Sequence, residues 1–322
     1  MSFIKVDNLT VKFPLKKQIG KKQEYLTAVN SVSFGIEKGE IFALVGESGS
    51  GKTTTGKAIL NLVKVSSGHV YLENEEITGK ESKSIRKRMQ IIFQDPYSTL
   101  NPHKTIRRIL EEPLKLHKIA YGDQLQTKLK DMLCQVGLCE DILDKYPHEF
   151  SGGQLQRICI ARALLLNPEF LVCDESIASL DVSIQAQIIN LLKELQKEYC
   201  LTMLFISHNM SVLRYICNSI GVMYLGCLVE KSEGEELFNN PLHPYTRALL
   251  SVVPSPDPHF EDSRSKTILK GEIPSPINPP KGCPFSTRCS FAIEKCYEEK
   301  PLLKEVRKGH FCACHIVGGE EE

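Results

Sequence analysis

No apolar run in the sequence approaches the ~20 residues that cross a bilayer as a helix. The opening residues, MSFIKVDNLT, lack the basic and apolar regions of a secretion signal. A net charge of +1 gives no basic field for bulk nucleic-acid binding and no polybasic membrane anchor. Internal repeats and sustained heptads are missing too. The expectation is a cytoplasmic protein without a nucleic-acid partner, whose membrane contact runs through another subunit. What remains is ordinary globular chain. Its 322 residues are 42% hydrophobic and 25% charged, enough for one large or two smaller domains around a sizeable core.

Short apolar or alternating runs at 3–13, 29–36, 41–45, 89–93, 170–173, 201–206 and 220–225 read as strands. Helical patterns lie between them, clearest at 183–199, where Ile184, Ile188, Leu191, Leu192 and Leu195 form one stripe. Alternating strands and helices predict an α/β fold with a mostly parallel sheet covered on both faces. Residues from about 95 to 165 read as a helical subdomain, with helices at 104–117 and 123–136. After about 252 the composition turns to proline and polar residues. The expected division is therefore a domain over 1–252 and a small loop-rich tail over 253–322.

IFALV runs straight into GESGSGKT, which fits G-x-x-x-x-G-K-[ST]. Read as a phosphate loop, the backbone around Gly46, Glu47, Ser48, Gly49, Ser50 and Gly51 wraps so that its N–H groups face phosphate oxygens. The helix that follows, opening on Lys52, Thr53 and Thr54, adds its positive end. Lys52 would meet the β- and γ-phosphates, and the Thr53 hydroxyl would ligate Mg²⁺. An ordinary glycine turn is the alternative, but strand, loop and helix in that order are what the phosphate reading requires. Such a site also needs a carboxylate at a strand end. FLVCDE supplies Asp174 for the metal shell and Glu175 to polarise an attacking water.

FSGGQLQR, 150–157, has a local explanation: Ser151 and Gln154 fit a capping box at a helix start. Gly152 and Gly153 there also expose backbone N–H groups, a second anion site. One chain does not need two such sites for one nucleotide; a dimer could use both.

SGGQ between a phosphate loop and DE resembles the signature of the ABC-type ATPases, which implies a P-loop NTPase fold with a mixed sheet core and a helical subdomain, here followed by the small loop-rich cysteine tail. The other motifs of that family follow in order: Gln94 in IIFQDP, Asp181 in SLD (179–181) and His208 in FISHNM, with Phe13 where the family stacks an aromatic on adenine. Tyr25 is a second aromatic candidate. The resemblance implies ATP held between two cassettes, each ATP lying between one Lys52-type loop and the other chain's Ser151–Gln154 segment. It implies Glu175 as base, His208 at the γ-phosphate, and Gln94 sensing Mg²⁺ and the water.

FQDPYSTLNP, YPHEFSGGQ, LDVSIQAQIINLL, MYLGCLVE, HPYTRALLSVVP and GEIPSPINPPKGCPFSTRC are similar to the ATPase subunits of oligopeptide and dipeptide importers. That likeness implies a paralogous ATPase partner, or a second copy, beneath two permease subunits at the cytoplasmic face of the plasma membrane. An extracytoplasmic solute-binding protein would feed them. Importers of nickel or oligosaccharides share the build, and a soluble ABC ATPase outside transport is a further alternative. Asn209 departs from the family's usual Asp after the histidine.

Five of the twelve cysteines crowd the last forty residues. In a reducing compartment such a cluster points to metal before disulfides. Cys283, Cys289, Cys296 and Cys314 lack C-x₂-C knuckles, and the spacing leaves zinc, iron–sulfur and unligated thiols open. The importer resemblance implies a [4Fe–4S] cluster on these four, with Cys312 the extra thiol and zinc the alternative.

Overall fold

The computed structural model of the chain describes residues 2–16, 23–80, 82–178, 180–252 and 271–317. Ser179 and the segment 253–270, where the tail was expected to begin, lie outside them. The chain divides into two compact units, one of Met1–Ile36, Ile41–Gly79 and Ile206–Glu322, the other of Glu37–Glu40 and Lys80–Phe205. Strands and helices are numbered along the chain.

The first unit holds two sheets. One is antiparallel, in the order β2-β1-β4-β5, from β1 (Ile4–Pro14), β2 (Tyr25–Ile36), β4 (Ser67–Leu72) and β5 (Glu75–Glu76). The β1/β2 register breaks where Asn8 and Ser31 adopt left-handed φ of 49° and 53°. Side-chain hydroxyls repair the gap: Asn8 N–H donates to Ser33 Oγ at 2.8 Å and Ser31 N–H to Thr10 Oγ1 at 3.1 Å. The other sheet runs β11-β12-β10-β9-β3 within this unit. Here β3 (Ile41–Val45) is parallel to β9 (Ser219–Tyr224), and β10 (Cys227–Glu233) turns back antiparallel. Phe34 and Phe42 stack at 4.9 Å in the core beneath. Around this sheet lie α1 (Lys52–Ile59), α8 (Met210–Ile216), α9 (Gly234–Asn239) and α10 (Pro244–Ser251).

Tail residues 271–317 fall in this same unit. Their hairpin, β11 (Lys304–Arg307) and β12 (His310–Cys312), extends the sheet by pairing β12 with β10, and α11 (Glu294–Glu298) precedes it. Phe285, 1% exposed, meets Tyr224 at 5.2 Å and Tyr245 at 5.4 Å. Glu230, wholly buried in β10, accepts from the Leu242 and His243 N–H groups and from His310 Nε2 at 2.7 Å. These bonds hold its carboxyl below the usual range although burial, the largest influence, pushes the other way.

In the second unit β6 (Met89–Ile92) is parallel to β7 (Phe170–Asp174), with β8 (Thr202–Ile206) next in order. The helices are α2 (Lys83–Arg88), α3 (Pro96–Thr99), α4 (Ile106–Leu116), α5 (Gly122–Gln135), α6 (Gly152–Leu164) and α7 (Val182–Tyr199). The apolar stripe of α7 buries Ile188, Leu191, Leu192 and Leu195, while Ile184 stays half-buried one turn earlier. Arg88 closes a two-point ion pair on Glu169, Nε to Oε1 at 2.5 Å and Nη2 to Oε2 at 2.9 Å, fixing the start of β7. The fold is α/β with a mixed core sheet, as the family resemblance implied: β3/β9 and β6/β7 run parallel, while β10 and the β11/β12 hairpin run antiparallel, so the strand–helix alternation alone overstated the parallel share. Among the described residues no helix is long and apolar enough to cross a membrane.

Candidate active site

Buried β3 delivers the chain to the phosphate loop, and α1 leaves it. Two glycines are required by close approach as well as by conformation. A Cβ on Gly46 (φ 149°) would lie 2.1 Å from the Met223 carbonyl oxygen, and one on Gly51 (φ 100°) 2.2 Å from that of Ala28. Lys52, 4% exposed, folds its ammonium into the loop. Its Nζ donates to the carbonyl oxygens of Gly46 and Glu47 at 2.8 and 2.9 Å and to Ser50 Oγ at 3.4 Å. Lys52 is thus gathered with Gly46, Glu47 and Ser50, while Thr53 and Thr54 sit half-buried in the first turn of α1. Ser48 and Gly49 lie at the exposed tip.

The same unit carries the aromatics and the histidine. Phe13, 39% exposed, pairs with Leu26 across β1 and β2, and the next pair is Pro14 with Tyr25, 47% exposed. His208 is exposed after β8. Asn209 caps α8 by accepting from the N–H groups of Ser211 and Val212.

The second unit carries the rest. Asp174, 5% exposed, ends β7, and Glu175 follows at φ 46°, a left-handed conformation that costs a non-glycine residue about 1–2 kcal/mol. Strain at that carboxylate suits a functional turn. Ser151 and Gln154 do form the reciprocal capping box, with Ser151 N–H donating to Gln154 Oε1 at 3.1 Å. The glycines also have a packing reason: a Cβ on Gly153 would stand 2.7 Å from Ile184 Cγ2 of α7, and one on Gly152 3.3 Å from Leu180 Cδ2. Asp181 caps α7, accepting from Ser183 Oγ at 2.7 Å and Ile184 N–H at 3.0 Å, and these bonds hold its carboxyl below the usual range. Gln94 is exposed between β6 and α3.

Residues that sequence reasoning passed over grip the loop from outside. Tyr245 of α10, fully buried, accepts the Glu47 N–H on its hydroxyl at 2.8 Å. Arg288, beside Cys289, donates to the Glu47 carboxylate at 2.7 and 3.2 Å. HPYTRALL marked a family branch without revealing that its tyrosine holds the loop, because the two residues are 198 positions apart.

In the tail Cys283 and Cys296 are buried, Cys289 and Cys314 half-buried, and Cys283 N–H donates to the Cys296 carbonyl at 2.8 Å. Burial first, and then the neighbouring Cys296, Cys314 and Cys289, push the Cys283 thiol up to about 12. Burial, with Cys314 and Cys296 behind it, raises Cys289 too. Cys312 stands opposite Glu230 across β12 and β10, and burial and that carboxylate raise it further. Among the described residues no three His, Cys, Asp or Glu side chains converge closely enough to hold a metal ion.

Comparison with known proteins decides the family. The ABC transporter family matches residues 29–178, and the oligopeptide/dipeptide transporter C-terminal region matches residues 229–296. A putative oligopeptide transport ATP-binding protein of Bacillus subtilis (strain 168), YkfD, is 50% identical over 306 residues, 94% of this chain and 93% of that one. The chain belongs to the ATP-binding proteins of the ABC transporters. The oligopeptide transport ATP-binding protein OppF of Haemophilus influenzae is 44% identical across 97% of this chain and 96% of its own. In fold, this ABC ATPase superposes on a subunit of an ABC transporter complex from Clostridium perfringens with a TM-score of 0.63 at 26% identity, covering 74% of this chain and 91% of that one. A dimeric ATP-binding cassette carrying ADP and Pi gives 0.61 at 28% identity over 71% of this chain and 98% of its own.

Proposed function

We propose that the chain is the ATP-hydrolysing subunit of a membrane importer for oligopeptides or dipeptides. The observation that carries this is one chain matching both the ABC cassette and the oligopeptide/dipeptide C-terminal region, with relatives named for oligopeptide transport aligned over more than nine-tenths of both lengths. Two copies, or this chain and a paralogue, would close on ATP. Lys52 and the loop N–H groups would hold the phosphates, and the partner's Ser151–Gln154 segment would cover them. Thr53, Asp174 and Gln94 would hold Mg²⁺, which neutralises charge on the β- and γ-phosphate oxygens. Glu175 would orient and deprotonate the water, with His208 at the γ-phosphate, Asp181 beside the dimer seam and Phe13 on the adenine.

A groove of about 410 Å³ on the second unit, lined by Phe93, Ile109, Pro113 and Leu116 together with Lys104 and Glu112, offers apolar and charged groups against which a permease would dock. Such docking would put the chain at the inner membrane face, with a solute-binding protein on the far side. The test is uptake. Deleting the chain from its host should abolish accumulation of a radiolabelled tripeptide and leave nickel and oligosaccharide uptake unchanged. Loss of nickel or oligosaccharide uptake, with peptide uptake intact, would replace peptide by that solute.

We assign the tail a [4Fe–4S] cluster on Cys283, Cys289, Cys296 and Cys314. What supports it is donor chemistry: four thiols along one tail segment are the ligand set such a cluster takes, and Cys283 N–H already bonds the Cys296 carbonyl at 2.8 Å. The ligands must draw together and lose protons on loading, which ties metal affinity to pH. When bound, the cluster would staple a loop-rich segment. Anaerobic purification should give about four irons and four sulfides per chain. Zinc alone, at one per chain, overturns the assignment.

A further inference from the structure

The cysteine segment and the phosphate loop meet at one ion pair. Arg288 Nη1 donates to Glu47 Oε2 at 2.7 Å and Nη2 to Oε1 at 3.2 Å, a two-point grip spanning 241 residues of sequence. Its side chain is 7% exposed and that of Glu47 25%. Nη1 also lies 3.4 Å from the Tyr224 hydroxyl, and the guanidinium carbon lies 5.9 Å from that ring. Tyr224 in turn packs on Phe285, three residues before Arg288, and on Tyr245 at 4.7 Å. Residue 47 is therefore held twice, its N–H by Tyr245 and its carboxylate by Arg288. Its carbonyl oxygen receives the Lys52 ammonium at 2.9 Å. The line Arg288–Glu47–Lys52 runs from the residue beside Cys289 to the cation that meets the phosphates.

A carboxylate in a loop built to bind a polyanion needs a reason. Left unpaired, Glu47 repels the nucleotide and pulls the loop toward solvent. Paired in two-point geometry on a mostly buried arginine, its charge is offset and its backbone is fixed.

We infer that Arg288 is a positioning residue for ATP, so that the tail's cysteine segment sets nucleotide affinity by neutralising and anchoring Glu47 in the phosphate loop. This goes beyond the family reading, resting only on ATP binding at that loop. By linkage, anything that displaces the 283–289 segment weakens ATP binding, and ATP resists that displacement by the same factor.

Titration of a fluorescent ATP analogue onto the full-length chain tests it. Lys52→Ala, which should abolish binding, checks that the probe reads the phosphate loop. Arg288→Ala should weaken binding about tenfold at low salt, equal to ~1.4 kcal/mol, and by less as salt screens the exposed carboxylate. Adding Glu47→Gln to Arg288→Ala should bring affinity back to within about threefold of the parent, because no unpaired charge remains. General destabilisation by the arginine change would not be relieved this way. Parental affinity in Arg288→Ala, or no recovery in the double variant, overturns the inference. If Arg288→Ala does not fold, Arg288→Lys carries the test. It keeps the charge and loses the fork, so binding should drop about threefold and recover with Glu47→Gln; parental affinity in Arg288→Lys is equally fatal.

Discussion

Glu175→Gln should cut ATP turnover by about 10²–10⁴-fold, the range a positioned general base contributes, while the variant still binds ATP. The substitution keeps size and shape, so the left-handed turn at residue 175 and the buried strand before it are not disturbed. Asp174 would remain for the metal shell and Lys52 for the phosphates, as proposed above. With hydrolysis blocked and binding intact, the closed pair of cassettes should persist. Size-exclusion chromatography with ATP and Mg²⁺ should show a dimer that the parent protein does not accumulate, and a single-turnover assay should show retained nucleotide. Turnover within a few-fold of the parent would remove Glu175 from the base role and shift attention to His208.

The parts of this site legible in the sequence are those whose physics is local. A phosphate loop needs glycines at fixed offsets, a helix start and a lysine, all within eight residues, so GESGSGKT declares itself. The capping box of Ser151 and Gln154 spans four residues and is formed as read. The helices at 106–116, 122–135 and 182–199 agree with the expected spans to within two residues at each end, the last announced by its apolar stripe.

What stayed hidden depends on partners far along the chain. Strand β10, CLVEKSE, places Glu230 in a fully buried position, which breaks the apolar pattern a core strand should show. That charge is tolerable only because His310 arrives from 80 residues away and two N–H groups from 12 and 13. The turn before β10 was equally opaque. Leu225 and Gly226 both take positive φ, 45° and 76°, the geometry of a two-residue hairpin usually signalled by Asn-Gly. Leucine in the first place conceals the turn, and with it the antiparallel edge to which the tail hairpin adds. The pairing of Glu47 with Arg288 belongs to the same class: both residues look like solvated charges until the fold joins them.

The phosphate loop itself offers the second large effect, through a contrast between two of its glycines. Gly51→Ala should weaken ATP binding at least about 100-fold, ~2.7 kcal/mol. Its new methyl would lie 2.2 Å from the Ala28 carbonyl oxygen and 3.2 Å from Met223 Cε, in a backbone conformation that alanine rarely takes. Relief is blocked on the strand side, because Ala28 lies in β2, and on the loop side, because Ser50 O accepts the Gly226 N–H at 2.9 Å. The loop must therefore move as a whole, carrying Lys52 and the N–H groups of α1 away from the phosphates. Gly49→Ala is the matched control. Its φ of 78° is also left-handed, but beyond its own chain neighbours no atom lies within 4 Å of the added carbon. Only the conformational cost applies there, about 1–2 kcal/mol. Part of that cost falls on stability rather than on binding. Nucleotide titration of both variants, with thermal unfolding to follow the fold, separates the two costs. Equal losses in Gly51→Ala and Gly49→Ala would mean that conformation alone makes the loop need glycine, and that its close fit against β2 contributes nothing to binding ATP.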